Sequence, residues 1–561
     1  MAYESKQVSA PRLAGAGLRA FARLIEQPMS GRVVRDALLR QMGLDAFRAA
    51  DVRGAATDTG PLPADARAWP HDPVEDAWKA VVNAPGEVAG ERPVTLLDQH
   101  RALRDGTTDP VALAKAFLAE KDRSERDPPA MRFYIAQDGM DLMTQARASR
   151  ERWRAGDPLG PLDGVLVSIK DELDQVPYPT TAGTRIHDTP AHTDATAVAR
   201  LRVRGALLTG KVNMHELGSG LTGINPHWGT PRNPYDTDRI CGGSSSGSGA
   251  IVSAGLTPLS LACDAGGSIR MPAAFTGVVG LKPTRGRVSQ AGTADLVWST
   301  AHTGPIGATA ADAALAYLAI AGPDPLDPHT LSQPPVHLTD WAQDDARGIT
   351  LGVFRDWFED ADASVVEANR AQLRHFEALG AEIREIVLPD LEQLALAHLV
   401  LIGVEAAASQ LHPYETDHRR YSHESRLSMA LARGLRATDY VHAQRVRSKL
   451  IGQWLDATAG LDAIVTPATG CVAPPIQADA IDLGDADMAL SQRIMRFMPP
   501  ANLLGFPAIT FPVGYDLDGM PIAMQVMGRP WMEHVLLRLA RLAGAHVPRK
   551  APRRTCAPAL S

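Results

Sequence analysis

The sequence predicts an α/β protein with a largely buried sheet and an N-terminal helical extension. Three observations carry this expectation. From about Thr95 onward, helical segments alternate with short β-rich runs at 164–169, 206–209, 256–262, 278–281 and 349–354, the pattern of strands layered between helices. Residues 11–50 carry apolar side chains at helical spacing on both sides of a Pro28-Met29-Ser30-Gly31 break. The chain has 561 residues, 45% hydrophobic and 22% charged, which is enough apolar material for a large core in an ordinary globular protein.

The N-terminal stretch reads as two amphipathic helices. The first presents Leu13, Leu18, Phe21, Leu24 and Ile25, and the second Val33, Val34, Leu38 and Leu39. This end is net positive, with Lys6, Arg12, Arg19, Arg23, Arg32, Arg35, Arg40 and Arg48 against Glu4, Glu26, Asp36 and Asp45. Such a pair of helices suits a membrane-surface or dimer contact, or simply packs on the main body with its arginines in solvent. Residues 51–75, rich in Ala, Asp, Gly and Pro, read as a surface linker. The expected organisation is therefore an extension and linker over 1–75, a catalytic body over 76–545 and a tail over 546–561. Within the body, residues 320–347 form a long loop with Gly322-Pro323-Asp324-Pro325 and Pro334-Pro335.

Charge and cysteine content exclude several classes. A net charge of −7 with no basic run argues against nucleic-acid binding, which depends on neutralising phosphates with Lys and Arg. Cys241, Cys263, Cys471 and Cys556 lack C-x-x-C spacing, so neither a zinc site nor a disulfide framework is expected, and no metal. The polar start Met-Ala-Tyr-Glu-Ser-Lys-Gln leads to no apolar signal region. No apolar run is read as reaching the roughly 18–20 residues of a bilayer span. A cytoplasmic enzyme, peripheral at most to a membrane, is the expectation.

The chemistry concentrates in three segments. Lys170 ends a short strand in which Val165, Val167 and Ile169 share one face and Leu166, Ser168 and Lys170 the other. Apolar burial there favours the neutral amine that a general base needs, whereas pairing with Asp171 or Glu172 would keep it an ordinary cation. The segment Cys241 to Gly249 places Ser244, Ser245 and Ser246 among glycines, and a hydroxyl such as that of Ser244 can donate and accept at once. Ser268 follows Gly266-Gly267 and precedes Pro272, which suits a first helical turn where free N–H groups favour an anion. Ser268 is the expected nucleophile, with the N–H groups of Ala265, Gly266, Gly267 and Ser268 as oxyanion donors. Asp264 and Arg270 flank this turn with opposite charges and would fix its shape, with Ser245 supporting the neighbouring loop.

Competing motifs fail. Residues 243–247 match G-x-S-x-G around Ser245, but that elbow needs a strand before it, and Asn233 to Arg239 is polar and turn-rich. A phosphate loop would need Gly-Lys-Ser/Thr where Gly249 is followed by Ala250-Ile251, and His215-Glu216 lacks the second histidine of a zinc-protease helix because Ser219 stands there.

Taken together, Lys170, Gly-Gly-Ser-Ser-Ser-Gly-Ser, Asp-Ala-Gly-Gly-Ser-Ile-Arg-Met-Pro-Ala-Ala-Phe and Gly-Val-Val-Gly-Leu-Lys-Pro-Thr resemble the amidase signature family. The resemblance implies a large central mixed sheet covered by helices on both faces. It also implies a Ser–cis-Ser–Lys triad in which Ser268 attacks, Ser244 relays from within a cis peptide and Lys170 is the base, with no cofactor. Lys-Asp-Glu-Leu-Asp-Gln-Val-Pro-Tyr-Pro-Thr-Thr, Asn-Met-His-Glu-Leu-Gly and Gly-Ile-Asn-Pro-His-Trp-Gly-Thr-Pro-Arg-Asn-Pro-Tyr-Asp further resemble the plant-type branch of fatty acid amide hydrolases. That likeness implies hydrolysis of N-acylethanolamines and related long-chain amides, a homodimer, and Met214 in the acyl channel. Three other readings remain at this stage: the same chemistry on small, aryl or peptide amides; the amidase component of a transfer-RNA-dependent amidotransferase; and a non-catalytic acyl-lipid binder.

Overall fold

The computed structural model describes residues 11–57, 59–63, 74–84, 86 and 88–560. Its thirteen strands are β1 (Leu13–Ala14), β2 (Tyr134–Ala136), β3 (Leu166–Lys170), β4 (Leu207–Val212), β5 (Leu259–Asp264), β6 (Val279–Lys282), β7 (His302–Gly307), β8 (Thr350–Val353), β9 (Glu382–Glu385), β10 (Ala463–Pro467), β11 (Asp485–Ala486), β12 (Ala508–Tyr515) and β13 (Pro521–Gly528). Eleven of them form one mixed sheet in the order β2-β4-β3-β5-β7-β6-β12-β13-β10-β8-β9. Parallel pairs β4/β3, β3/β5, β10/β8 and β8/β9 flank an antiparallel centre. The remaining two, β1 and β11, pair with each other.

Strand parity sets the two cores, because successive side chains point to opposite faces. Val165, Val167 and Ile169 join Leu259, Leu261 and Cys263 in one cluster with the Ala310–Ile320 and Glu533–His546 helices. Leu166 and Ala262 point the other way, into a cluster with Phe117, Ile251, Ile269 and Ala273. Lys170 shares the parity of Leu166. It therefore emerges on the face covered by the helices Ser246–Ser253 and Arg270–Thr276, which carry the two serine turns.

The N-terminal segment differs from the expected helix pair. Leu13 lies in β1, and the helices are Gly15–Ile25, Ser30–Gln41 and Leu44–Arg48. Ser30 and Gly31 begin the second helix instead of breaking the first. A Cβ on Gly31 would stand 2.3 Å from the Ile25 carbonyl oxygen, so a glycine is needed where the chain turns back so tightly. Leu18 and Ile25 pack on Leu427 and Ala430 of the helix His423–Ala432. Arg426 Nε donates to Glu26 at 2.8 Å, and Arg48 Nε to Asp439 at 2.7 Å. This segment is thus fastened to the body, yet Leu24, Met29 and Val33 are 41%, 85% and 68% exposed.

Three further expectations meet the structure. Within 51–75, residues 58 and 64–73 lie outside the described residues, while Val52 and Leu62 are buried in the same cluster as Leu401 and Trp531. The helix Val74–Asn83 begins just before the expected domain boundary at residue 76 and buries Trp78 and Val81 in the main core. The tail after residue 545 is strapped to the body: Arg549 Nη1 donates to the Gly277 carbonyl at 2.8 Å, and Cys556 is buried.

The expectation that no run could span a bilayer is corrected by the helix Leu391–Ser409. It has 19 residues, and an 18-residue window within it has a mean hydropathy of 1.5, long and apolar enough by length and composition alone. Two polar residues inside it, His398 and Glu405, are buried against the protein, which is how a helix packed on a core uses them.

Candidate active site

β3 delivers Lys170 to a fully buried position at its C-terminal end. Its Nζ donates to Ser244 Oγ at 2.7 Å and to the Cys263 carbonyl at 3.3 Å. The peptide bond Gly243–Ser244 is cis. Both readings of Lys170 left open by the sequence are present at once, because Glu172 Oε2 lies 2.6 Å from the same nitrogen. The Ser244 hydroxyl and the Glu172 carboxylate thus meet at one buried nitrogen. Asp171, by contrast, faces Lys211 at 3.6 Å and accepts from the Gly183 N–H at 3.1 Å and from the Thr181 hydroxyl.

The second serine turn leaves β5 at Asp264 and enters the helix Arg270–Thr276. Ser268 stands two residues ahead of that helix and not in its first turn, since the turn is organised by a side chain instead. Asp264 accepts from the Gly267 N–H at 2.6 Å and the Ile269 N–H at 3.1 Å, and pairs with Arg270 Nε at 2.9 Å. Arg270 continues to Gln525 Oε1 at 2.6 Å, the Met498 carbonyl at 3.1 Å and Asn502 Oδ1. Burial alone would raise the Asp264 pKa, but the charge and hydrogen bonds of Arg270, with Lys282 and Asn502, hold it well below the usual carboxylate range.

This arrangement withdraws Gly267 from the expected oxyanion set, because its N–H is bound to Asp264. Ala265, Gly266 and Ser268 remain as donor candidates. Ser268 itself is 7% exposed. Ser245 Oγ donates at 3.3 Å to the Cys263 carbonyl that Lys170 also reaches, which ties the two serine turns to one point on β5. Ser246 opens the helix Ser246–Ser253.

Several residues at the site carry no signal in the sequence. His398 Nε2–H donates to the Ala265 carbonyl at 2.9 Å, and a Cβ on Gly266 would meet the His398 ring at 2.9 Å. Burial pushes the His398 pKa down to about 4, so the ring is neutral at pH 7. An apolar group of Leu217, Leu296, Val297, Ala406, Tyr421 and Met429 packs with Ala265 and Ile402. Buried hydrophobic side chains thus pack against the turn that carries Ser268. Met214, expected in an acyl channel, is fully buried, and its carbonyl accepts from Asn225 Nδ2 at 2.7 Å; it is not part of that apolar group. Val297 also borders a cavity of about 500 Å³ shared with Asp295, Trp298, His302 and Thr303.

A buried lysine bonded to the serine of a cis peptide and a carboxylate-pinned glycine turn leaving the neighbouring strand β5 lie in the segments that resemble the amidase signature family. The Amidase family profile matches residues 122–537. The chain belongs to the amidase signature family. This amidase is 36% identical over 566 residues to the fatty acid amide hydrolase of Oryza sativa subsp. indica, covering 96% of this chain and 93% of that protein. It is 34% identical over 476 residues to a glutamyl-tRNA(Gln) amidotransferase component of Symbiobacterium thermophilum, covering 79% of this chain and 94% of that protein. The crystal structure of an amidase superposes with a TM-score of 0.71 at 32% identity, covering 81% of this amidase and 99% of that chain. The rice match leaves so little of this amidase uncovered that it takes in most of the N-terminal helical segment.

Proposed function

We propose that this amidase cleaves N-acylethanolamines and related long-chain fatty acid amides to free acid and amine through an acyl-enzyme on Ser268. The observation that carries the substrate class is the apolar group around Ala265, which brings Leu217, Leu296, Val297 and Ala406 to the oxyanion turn, as an acyl chain requires. The likeness to fatty acid amide hydrolases over 96% of the chain supports the same reading.

In the proposed sequence, Ser268 Oγ attacks the amide carbon while its proton passes to Ser244, and the Ser244 proton passes to Lys170 Nζ. The carbonyl π electrons move onto oxygen, where the N–H groups of Ala265, Gly266 and Ser268 hold them. Ser244 then protonates the nitrogen, the C–N bond breaks, and Lys170 returns its proton to Ser244. Water activated by the same relay cleaves the ester on Ser268. The exposed Leu24, Met29 and Val33, on a segment rich in arginine, form the surface through which the enzyme meets a lipid layer peripherally.

The test is competition between N-acylethanolamines of graded acyl length and short, aryl or peptide amides on the purified enzyme. Higher kcat/KM for the long-chain amides is expected. Preference for short amides would overturn the lipid assignment while leaving the chemistry intact. In parallel, a fluorophosphonate should label wild type at Ser268 and fail to label Ser268→Ala; labelling at another serine would displace Ser268 as nucleophile.

A further inference from the structure

His215-Glu216, an incomplete match to a zinc-protease motif, has another use in this fold. Residues 213–215 follow β4 and run beside the Gly-Ser segment, held by two backbone hydrogen bonds. The Gly247 N–H donates to the Asn213 carbonyl at 2.9 Å, and the His215 N–H donates to the Ser244 carbonyl at 2.9 Å. His215 is therefore the residue whose backbone grips the relay serine.

The His215 ring is 1% exposed and seated on Gly220, where a Cβ would stand 2.0 Å from ring atoms. Gly220 in turn backs the cis peptide, since a Cβ on Gly243 would stand 2.4 Å from the Gly220 carbonyl oxygen. Across from Gly220, His215 Nε2 lies 3.3 Å from Glu424 Oε1 on the helix His423–Ala432. Burial lowers the pKa of this ring, but the charge and hydrogen bond of Glu424, with Glu216, outweigh it against the opposing Lys170, and the result is a pKa above the ordinary histidine value. The ring is thereby favoured as a cation paired with Glu424.

The neighbouring residue anchors on the same turn. Glu216 accepts from His227 Nε2 at 2.7 Å and from the Ser422 N–H at 3.0 Å. On its outer side, Glu424 Oε2 accepts from the Asp485 N–H at 3.4 Å, and Asp485 pairs with Arg12 Nε at 3.0 Å. Contacts thus run without a gap from β1, through β11 and Glu424, to the carbonyl of Ser244.

We propose that His215, braced by Glu424, is a positioning residue for the Ser244 relay. This rests on the relay role given to Ser244 above. The physical reason is geometric: a proton relay works only when its hydroxyl is held to a fraction of an ångström, and a displacement of about 1 Å can cost roughly 100-fold in rate. Removing the ring opens a gap against Gly220 and leaves the Glu424 carboxylate without its cation, so the 213–215 segment and the Ser244 carbonyl lose their brace.

The experiment measures kcat, KM and thermal unfolding for His215→Leu, Glu424→Leu, the double variant and His215→Gln, with Ser244→Ala as control. The amide is whichever of an aryl amide or a long-chain N-acylethanolamine wild type turns over faster. His215→Leu and Glu424→Leu are each expected to lower kcat about 10- to 100-fold with KM within about threefold. The double variant should lose no more than the worse single, because both cut one strut. His215→Gln, whose amide nitrogen reaches the place of Nε2, should restore most of kcat. Full kcat in His215→Leu alongside a lowered Tm, or losses that multiply in the double variant, would overturn the proposal. If His215→Leu does not fold, Glu424→Leu decides: it removes the group that faces His215 Nε2 from the other side, and an unchanged kcat would overturn the proposal. An active Ser244→Ala would instead remove the relay reading itself, whatever the His215 variants show.

Discussion

Lys170 Nζ and Ser244 Oγ are joined by a 2.7 Å hydrogen bond in a fully buried setting. If that bond is the path of the proton, its two ends act as a unit. Lys170→Ala and Ser244→Ala should each lower kcat by about 10²- to 10⁴-fold. The double variant should be no worse than the more damaged single. Steady-state kinetics with circular dichroism to confirm folding would check this, and independent, multiplying losses would show that the two groups act separately.

The Asp264–Arg270 pair predicts a stability effect with a defined pH dependence. Arg270→Met leaves the Asp264 carboxylate buried without its cation, and should cost about 3–5 kcal/mol in denaturant unfolding at pH 7. The folded pKa of Asp264 is depressed, so its contribution is complete above the unfolded value of about 3.9 and is lost as pH falls toward the folded value. The gap between wild type and Arg270→Met should therefore narrow from pH 7 toward pH 3. A gap independent of pH would show that the loss is one of packing only.

His398 behaves in the opposite sense from a histidine that gains a carboxylate partner. Its pKa is pushed down to about 4 by burial, against about 6.5 unfolded, so the folded state binds the proton less well. Stability from this site is complete above pH 6.5 and is lost as pH falls from 6.5 toward 4. His398→Gln should flatten that part of the stability profile. His398→Leu, which removes the donor to the Ala265 carbonyl, should lower kcat about tenfold by loosening the oxyanion turn. Unaltered kcat in His398→Leu would separate His398 from catalysis.

At the N-terminal helices, Met29 and Val33 project into solvent from a segment otherwise fastened by Arg48–Asp439 and Arg426–Glu26. Met29→Glu with Val33→Glu should leave kcat on a soluble aryl amide within about twofold and reduce sedimentation with anionic lipid vesicles several-fold. Unchanged sedimentation would remove this surface from any lipid contact.

The residues that do chemistry are readable wherever the chemistry is local. Ser244, Ser245 and Ser268 sit in glycine-rich turns whose composition advertises close backbone approach, and Asp264 and Arg270 flank one turn within a single short segment. Lys170 is legible as a buried strand end, and its place with the serines comes through the resemblance of whole segments. Glu172 can be named only as one of two candidate partners, because β3 ends at Lys170 and strand parity, which would put Glu172 on the face of Lys170 and Asp171 on the other, does not bind the chain beyond the strand. Gly267 reads as an oxyanion donor because nothing in its sequence tells which acceptor its N–H will find; the structure gives that N–H to Asp264.

What the sequence determined by itself was the α/β layering, the parity that sends Lys170 to the face opposite Val167 and Ile169, and the family. These follow from periodicities and contiguous motifs, which are properties of neighbouring residues. Only the tertiary structure decided which distant groups complete the site. His398 reaches Ala265 across 133 positions of chain and Asn502 reaches Asp264 across 238, while Glu424 meets His215 from a different helix layer. Such contacts arise from how helices settle on the sheet to bury apolar surface while finding partners for buried polar atoms. No local pattern encodes them, and they turn two serine-bearing turns into one defined arrangement.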